Sequence, residues 1–466
     1  MKINFTKACL TPLVVSMFAV FGSATQAMAQ DSYEIYVGGT EVTPANSTDV
    51  LGDGKVSYDD ATKTLKLKDV AIFAHQDNCG VEFKKASSDT YNLEFDGCVK
   101  IFSEYKYGIA SNSNLKVTGV GSLFVQNQSA GSALYVGENS TFTIKECSID
   151  ADGQDYGFTG SGASSTLVLE DAALYAHGNE GGICNIGALT FKDTKIITPR
   201  KDAAFDEALM GVAVKNVLCK TVRTSSVNVL GIYVLGMEVT PKNAADILKN
   251  GSLGYNADTH TLTMNNLDIN APTAYVVGIQ VDKKVKNLTV DLKGYNKIQA
   301  GEAAVKLSAN TVFSGEGSLL LGGSINNGQD LRDKATLSIK DCEVNIGAAT
   351  YGITGFGEES LVVENATLRV YHSAGAILGI MAMQLKKAKI DTPAGASFDP
   401  EKYAVVQGGN VCTEVSIVPD QSAVARIEAT PQATDGRIFD LQGRQLNEAP
   451  AHGIYIQGGK KHVATK

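Results

Sequence analysis

The chain contains no tryptophan and only 10 prolines, against 47 glycines, among its 466 residues. Without tryptophan it lacks the side chain with the largest flat apolar face. Any aromatic contact surface must therefore come from its 17 tyrosines and 16 phenylalanines. A high ratio of glycine to proline suits many tight turns.

Cysteine is also scarce: Cys9 lies near the start, and seven others follow it. The seven after Cys9 are an odd number and contain no Cys-x-x-Cys pair, which argues against a disulfide framework and against a zinc site. We expect buried free thiols, and a bridge between Cys79 and Cys98 is the alternative.

Recognisable catalytic motifs are missing. The six histidines occur singly, and no Gly-x-Ser-x-Gly, His-Glu-x-x-His or phosphate-loop motif is present. Paired acids such as Asp59-Asp60 and Glu170-Asp171 fall in predicted turns, where a solvated role is favoured over glycoside hydrolysis. The sequence therefore predicts a protein that is not an enzyme.

Positive charge is in deficit, because the formal net charge is -9. An acidic chain argues against nucleic acid and against anionic membranes as partners. Asp49, Asp53 and Asp60 fall at positions of a calcium-binding loop, but Leu51 occupies a ligand position and a hairpin turn explains the segment better. We predict no cofactor, and calcium is the one alternative left open.

The first 29 residues have the pattern of a secretory signal peptide. Lys2 and Lys7 precede an apolar stretch from Leu10 to Phe21, and Ala27-Met28-Ala29 forms a small-residue cleavage site. No later stretch is apolar enough to span a membrane. These patterns predict a secreted protein with no transmembrane span in the mature chain.

The sequence after the predicted signal peptide contains an internal repeat, with an offset of about 195 residues between the two copies. Ile35-Tyr36-Val37 returns as Ile232-Tyr233-Val234, and Tyr156-Gly157-x-Thr159-Gly160 returns as Tyr351-Gly352-x-Thr354-Gly355. We therefore predict two domains from a duplication, at residues 30–229 and 230–418. A polar linker at 419–434 and a small C-terminal β module at 435–466 follow them.

Within each copy, alternating apolar pairs recur about every 25 residues, as in Leu65-x-Leu67 and Leu93-x-Phe95. Turns and a third short apolar stretch complete each repeat. Three short strands per repeat predict an all-β chain of two tandem parallel β-helices, with a β-sandwich as the rival. Hairpins around Asp53-Gly54 and Asn250-Gly251 are expected to cap the two β-helices.

A column of outward-facing residues is the strongest candidate for a binding site. If one apolar position per coil points inward, its following neighbour points outward, and stacked coils place these neighbours about 4.8 Å apart. Cover by loops or by the other copy is the alternative. The predicted ligand-binding residues of the first copy are Phe73, Phe102, Phe124, Asp150 and Tyr175, with Ile197 ending the column. The second copy has Asn270, Gln299, Leu320, Asn345, Arg369 and Asp391 at these positions.

Two resemblances extend this interpretation. Gly-Val-Gly-Ser-Leu at 119–123, Gly-Glu-Gly-Ser-Leu at 315–319 and the Tyr-Gly-x-Thr-Gly phrases resemble a bacterial secreted carbohydrate-binding β-helix family with a polysaccharide-lyase-like fold. That resemblance implies binding of a polysaccharide or other glycan without catalysis. A protein-binding adhesin or scaffold, with a host or cell-surface protein as partner, and an inactive lyase are the alternatives.

The last 30 residues resemble the C-terminal sorting modules of secreted Bacteroidota proteins. The phrases that carry this resemblance are Phe439-Asp440-Leu441-Gln442-Gly443-Arg444 and Gly453-Ile454-Tyr455-Ile456. The resemblance implies export and display at the outer-membrane surface of a Gram-negative bacterium.

Overall fold

A computed structural model describes residues 32–199, 202–272, 275–329, 333–347, 351–372, 374–420, 437–441, 443–457 and 460–465. The predicted signal peptide, and residues 421–434 of the predicted linker, lie outside this range. The chain divides into two compact units, Met1–Val227 and Asn228–Lys466. The described residues form strands and no helix. They therefore contain no helix that could span a membrane.

The described residues of the first unit form 18 strands. They are β1 Ile35–Val37, β2 Thr40–Glu41, β3 Val56–Asp59, β4 Thr64–Lys68, β5 Ala71–Ala74, β6 Val81–Ser103, β7 Tyr107–Asn127, β8 Ser132–Val136, β9 Thr141–Lys145, β10 Ser148–Asp152, β11 Tyr156–Glu170, β12 Ala173–His177, β13 Gly181–Lys192, β14 Thr194–Thr198, β15 Ala204–Asp206, β16 Gly211–Val214, β17 Val217–Leu218 and β18 Thr221–Ser226.

These strands form a solenoid with three faces. On face 1, β4, β6, β7, β9, β11 and β13 pair in parallel. Face 2 contains β5, the ends of β6 and β7, then β10 and β12. Face 3 contains the starts of β6 and β7, then β8 and the starts of β11 and β13. Strands β6, β7, β11 and β13 turn a corner and so contribute to more than one face.

The second unit continues the numbering. Its strands are β19 Ile232–Val234, β20 Met237–Glu238, β21 Leu253–Asn256, β22 Thr261–Asn265, β23 Asp268–Ala271, β24 Val277–Val281, β25 Asn287–Lys293, β26 Tyr295–Ala300, β27 Ala303–Leu307, β28 Asn310–Ser314, β29 Ser318–Gly322, β30 Ile325–Asn327, β31 Thr336–Lys340, β32 Glu343–Gly347, β33 Tyr351–Thr354, β34 Ser360–Glu364, β35 Thr367–Tyr371, β36 Gly375–Leu378, β37 Ala382–Lys386, β38 Ala388–Thr392, β39 Ser397–Asp399, β40 Ala404–Gln407, β41 Asn410–Val411 and β42 Glu414–Pro419.

In this unit the three faces are separate sheets. Face 1 has the order β21-β22-β25-β28-β31-β34-β37, and face 2 has the order β23-β26-β29-β32-β35-β42-β38. Face 3 runs β20-β19-β24-β27-β30-β33-β36-β40-β39. The predicted all-β parallel β-helix is therefore confirmed, whereas the origin of the units by duplication stays a prediction.

Alternation along each strand builds the core. In β9 the side chains of Phe142 and Ile144 are fully buried, while Thr141, Thr143 and Lys145 between them are partly exposed. Phe142 pairs with Leu115 on one side and Leu167 on the other. Each coil thus places its apolar residues on those of its neighbours, and each fully buried large side chain contributes about 1.5 to 3 kcal/mol.

Antiparallel strands close the start of each solenoid. β1 pairs with the first face-3 strand and β3 with the first face-1 strand, and β19 and β21 do the same in the second unit. Such pairing covers edges that otherwise expose free backbone groups.

Each predicted turn dipeptide lies in a turn just before the hairpin strands of its unit. The β3–β4 turn is formed by residues 60–63, because Asp59 pairs with Thr64. Asp53-Gly54 instead belongs to a turn before β3, in which Asp49 Oδ1 accepts the backbone N–H groups of Asp53 and Gly54. Asp246 accepts the N–H groups of Asn250 and Gly251 in the same way. Asp49 therefore stabilises this turn, across which the Val50 N–H donates to the Val56 carbonyl oxygen. A hairpin caps each unit, as predicted, and its strands, β3–β4 and β21–β22, follow the predicted dipeptide.

The seven cysteines of the described chain are free thiols, so the alternative of a Cys79–Cys98 bridge is wrong. Cys147 Sγ lies 3.7 Å from the Val117 carbonyl oxygen, and Cys342 Sγ lies 3.5 Å from that of Phe313. Burial raises the pKa of the Cys342 thiol to about 12. These thiols act as small apolar groups within the coils.

The C-terminal residues form a four-stranded sheet of order β44-β43-β45-β46, as expected for a small β module. Its strands are β43 Ile438–Phe439, β44 Gln445–Leu446, β45 His452–Gln457 and β46 Lys460–Thr465. Arg444 Nε donates a hydrogen bond to Asp440 Oδ2 at 2.7 Å within the Phe-Asp-Leu-Gln-Gly-Arg phrase.

Candidate functional site

The predicted ligand-binding residues point outward from face 2, but they form two columns instead of one. Phe73 pairs with Phe102, and Phe102 pairs with Gln126 rather than with Phe124. Phe124 pairs with Lys100 on one side and Asp150 on the other. Column A therefore contains Ala71, Lys100, Phe124, Asp150 and Tyr175. Column B contains Phe73, Phe102, Gln126, Asp152 and His177.

Glycine sets this register. Gly97 pairs with Gly121, and a β-carbon on Gly121 would lie 2.1 Å from the Gly97 carbonyl oxygen. Gly121 also has a φ of 103°, which disfavours any residue with a side chain. This register therefore requires glycine at position 121, and the strand after it is displaced by two residues from the predicted alignment.

Column A also ends differently from the prediction. The antiparallel strand β18 lies between β12 and β14, so Tyr175 is paired with Arg223 and Ile197 is not its neighbour. The Arg223 guanidinium carbon lies 4.6 Å from the centre of the Tyr175 ring. That contact covers one face of the tyrosine with a cation.

The aromatic rings of column B cover one another. Phe73 and Phe102 are stacked with centroids 5.1 Å apart and an interplanar angle of 14°. Phe73 is 57% exposed, whereas Phe102 is half-buried. A ligand along the column therefore meets the edges and outer surface of this pair, because the facing sides are occupied.

Asp150 lies between Phe124 and Tyr175 in column A and is half-buried. Burial raises the pKa of its carboxyl to about 6, the Asp152 carboxylate adds to this increase, and Arg223 opposes it. A carboxyl with this pKa changes charge close to neutral pH, unlike an exposed aspartate.

A polar cleft of about 440 Å³ lies at the corner between face 2 and face 3 of the first unit. Column B supplies Gln126, Asp152 and His177 to this first-unit cleft. Their chain neighbours Gln128, Gln154 and Asn179 supply exposed amides. Three successive coils thus each contribute a pair of hydrogen-bonding side chains.

Hydrogen bonds orient part of the lining of the first-unit cleft. Gln126 Nε2 donates to Asp152 Oδ2 at 3.3 Å, and His177 Nδ1 lies 2.8 Å from Thr221 Oγ1. A carboxylate accepts several hydrogen bonds, so Asp152 keeps capacity for a ligand hydroxyl. The predicted column missed Gln126, Asp152 and His177. A signal for them was available in the sequence. At 126–128, 152–154 and 177–179 an outward-facing residue is followed by Asn or Gly and then by a side-chain amide.

The second unit has a cleft of about 470 Å³ at the same corner. It is bordered by Gln299 and Gly322 of face 2 and by Asn326, Tyr351 and Thr354 of face 3. Asn326 Oδ1 accepts hydrogen bonds from Ser324 Oγ at 2.9 Å and from Thr354 Oγ1 at 3.1 Å. These two hydroxyls fix the amide, so that its Nδ2 group serves as the donor toward a ligand.

The second-unit columns show the same displacement by two residues. Gln299 pairs with Gly322, and Leu320 pairs with Lys297 and Asn345. Asn345 pairs with Arg369, which pairs with Ser416 of β42. The predicted column of the second copy therefore also separates between Gln299 and Leu320.

Comparison with known proteins adds one finding. A family described as "Carbohydrate-binding domain-containing protein" matches residues 247–411, and the whole lining of the second-unit cleft falls within that range. The match supports a carbohydrate-binding role. No curated protein and no solved structure matches the chain.

No group of three or more His, Cys, Asp or Glu side chains in the described part of the chain is arranged to hold a metal ion. The clefts therefore offer a ligand amides, hydroxyls, one imidazole and carboxylates. These groups both donate and accept hydrogen bonds, which matches the hydroxyl groups of a saccharide.

Proposed function

We propose that the protein is a secreted, non-catalytic carbohydrate-binding protein displayed at the outer surface of a Gram-negative bacterium. Each unit would hold a glycan in its cleft between face 2 and face 3. The observation that carries this proposal is the coincidence of the second-unit cleft, at 272–354, with the matched carbohydrate-binding family at 247–411.

The chemistry of both clefts supports this proposal. Their lining is mainly Gln, Asn, Ser, Thr and Gly, and a few charged groups stand among these neutral ones. Neutral groups of this kind exchange hydrogen bonds with sugar hydroxyls, and Tyr351, which lines the second-unit cleft, offers flat apolar surface. The signal-peptide pattern and the C-terminal module support export and display.

The test is a glycan-array screen of the full chain, with and without calcium. We expect saccharide binding that weakens at least about fivefold in Asn326→Ala and in Asp152→Ala, because each variant removes a directed hydrogen-bonding group from one cleft. Asn410→Ala is the matched control, since Asn410 is exposed and lines neither cleft.

Binding to no glycan by a folded chain would contradict the proposal and favour a protein-binding adhesin or scaffold. Release of unsaturated sugar products during the screen would instead indicate a polysaccharide lyase. Binding that requires calcium would support the alternative that the protein uses calcium as a cofactor.

A further inference from the structure

Column B of the second unit contains two adjacent positions without side chains. Its residues are Asn270, Gln299, Gly322, Gly347 and Tyr371. Gly322 stands opposite Gln299, and Gly347 stands opposite Tyr371. Because Leu321 pairs with Ile346, the two glycines lie beside each other. The column is thus interrupted between Gln299 and Tyr371.

The interruption is wide enough for a sugar ring. Gln299 and Tyr371 stand three coil spacings, about 14 Å, apart along the solenoid, and a pyranose ring stacked on Tyr371 fits within that distance. At Gly347 a β-carbon would meet no atom of the described residues within 4 Å, so none of them fills the space above the backbone there. We call this space the glycine slot. Its other floor residue, Gly322, lies against the Gln299 side chain, whose Cγ would be 3.1 Å from a β-carbon there, and also lines the second-unit cleft.

Tyr371 forms one wall of the glycine slot. Its side chain is 69% exposed, and its neighbour across face 2 on the slot side is a glycine. The neighbour on the other side is Glu414. In the first unit the Phe73 ring is covered by Phe102, but no such ring stands beside Tyr371 at Gly347. The tyrosine can therefore offer a face to the C–H groups of a sugar.

Two cations near the glycine slot, Arg369 and Lys306, are engaged by carboxylates. Arg369 Nη1 donates to Glu343 Oε1 at 2.6 Å and to Asn345 Oδ1 at 3.3 Å. Lys306 is bonded to Glu302 at the border of the second-unit cleft. The floor and walls, Gly322, Gly347, Gln299 and Tyr371, carry no charge. An anionic sugar would meet no cation on the floor or walls, so a neutral ring is favoured.

We propose that the glycine slot holds one neutral pyranose ring, seated on Gly322 and Gly347, stacked on Tyr371 and hydrogen-bonded by Gln299. This inference rests on the proposed function and specifies its ligand class. The rest of the saccharide would continue across the corner into the second-unit cleft, where Asn326 supplies a donor.

The experiment is isothermal titration calorimetry of the full chain with maltohexaose, mannohexaose and hexagalacturonate. We expect at least one neutral oligomer to bind more tightly than the uronate. Tyr371→Ala and Gly347→Leu should each weaken binding of that neutral oligomer about tenfold, the first by removing the stacking face and the second by filling the floor.

Two features keep the result interpretable. Gly347→Leu enters space that no described residue fills, and circular dichroism checks that the fold is kept. Tyr295→Ala is the matched control, because Tyr295 is a 56% exposed tyrosine of the same sheet that does not border the slot. Its affinity should stay within about twofold of the parent.

Each outcome decides between the hypotheses. Parent binding that neither Tyr371→Ala nor Gly347→Leu weakens would overturn the slot and leave the carbohydrate-binding function standing. Tighter binding of hexagalacturonate than of both neutral oligomers would overturn the neutral ligand class. Binding of none of the three, with no ligand on the glycan array, would overturn the proposed function together with the slot.

Discussion

Replacing Phe142 with alanine is expected to lower the free energy of unfolding by about 3 to 5 kcal/mol. Phe142 is fully buried and contacts the Phe158 ring edge-to-face, with centroids 5.3 Å apart at 88°. It also lies between Leu115 and Leu167 of the neighbouring coils. Truncation leaves a cavity that three stacked coils share, and a solenoid cannot close it without moving a coil. Urea unfolding followed by circular dichroism measures the effect.

Phe73→Ala is the control for this prediction. Phe73 is 57% exposed and makes its ring contact with Phe102 alone. Its loss should cost less than about 1 kcal/mol. Equal effects of the two substitutions would contradict the assignment of Phe142 to the core and of Phe73 to the surface.

Replacing Asp150 with asparagine is expected to raise stability at pH 8 by about 2 to 3 kcal/mol, because each unit of pKa shift corresponds to about 1.4 kcal/mol. The folded pKa of this carboxyl is about 6, against 3.8 for an unperturbed aspartate. The folded state therefore binds the proton more tightly than the unfolded state. The stability that this group contributes is complete below pH about 4 and is lost as the pH rises through about 6. Asparagine cannot ionise, so it avoids that loss.

Urea unfolding at pH 8, 6 and 3.5 tests the Asp150 prediction. Parent and Asp150→Asn should differ most at pH 8 and have similar stabilities at pH 3.5. Arg223→Gln is the companion variant: it removes the guanidinium that lowers the pKa of Asp150 and should steepen the loss of stability above pH 6. A variant less stable than the parent at pH 8 would show that the Asp150 carboxylate is stabilised in the folded state.

Local patterns predicted the faces of the solenoid well. Alternation in stretches such as Phe142-x-Ile144 identified strands with one buried side, and the structure buries those positions. The outward direction of Phe73, Phe102, Phe124, Asp150 and Tyr175 followed from the same alternation. A strand has a side-chain period of two, so its buried face can be assigned without knowing its partner.

The register between β6 and β7 could not be predicted from the sequence. A displacement of one residue would move every apolar side chain to the wrong face, and the pattern excludes it. A displacement of two residues keeps every side chain on its face, so alternation gives no information about it. Matching Gly97 to Gly119 or to Gly121 was therefore equally consistent with the pattern, and the predicted column followed the wrong choice.

The sequence by itself determined the all-β class, the parallel coils and the set of outward-facing residues, because these depend on periodicity within short stretches. Only the tertiary structure decided which outward residues are neighbours, because long-range pairing of coils is not encoded in any single strand. Pairing of β6 with β7 places Phe102 beside Gln126, and pairing of β7, β10 and β12 places Gln126, Asp152 and His177 together in the first-unit cleft. Pairing of β29 with β32 places Gly322 beside Gly347 in the second unit.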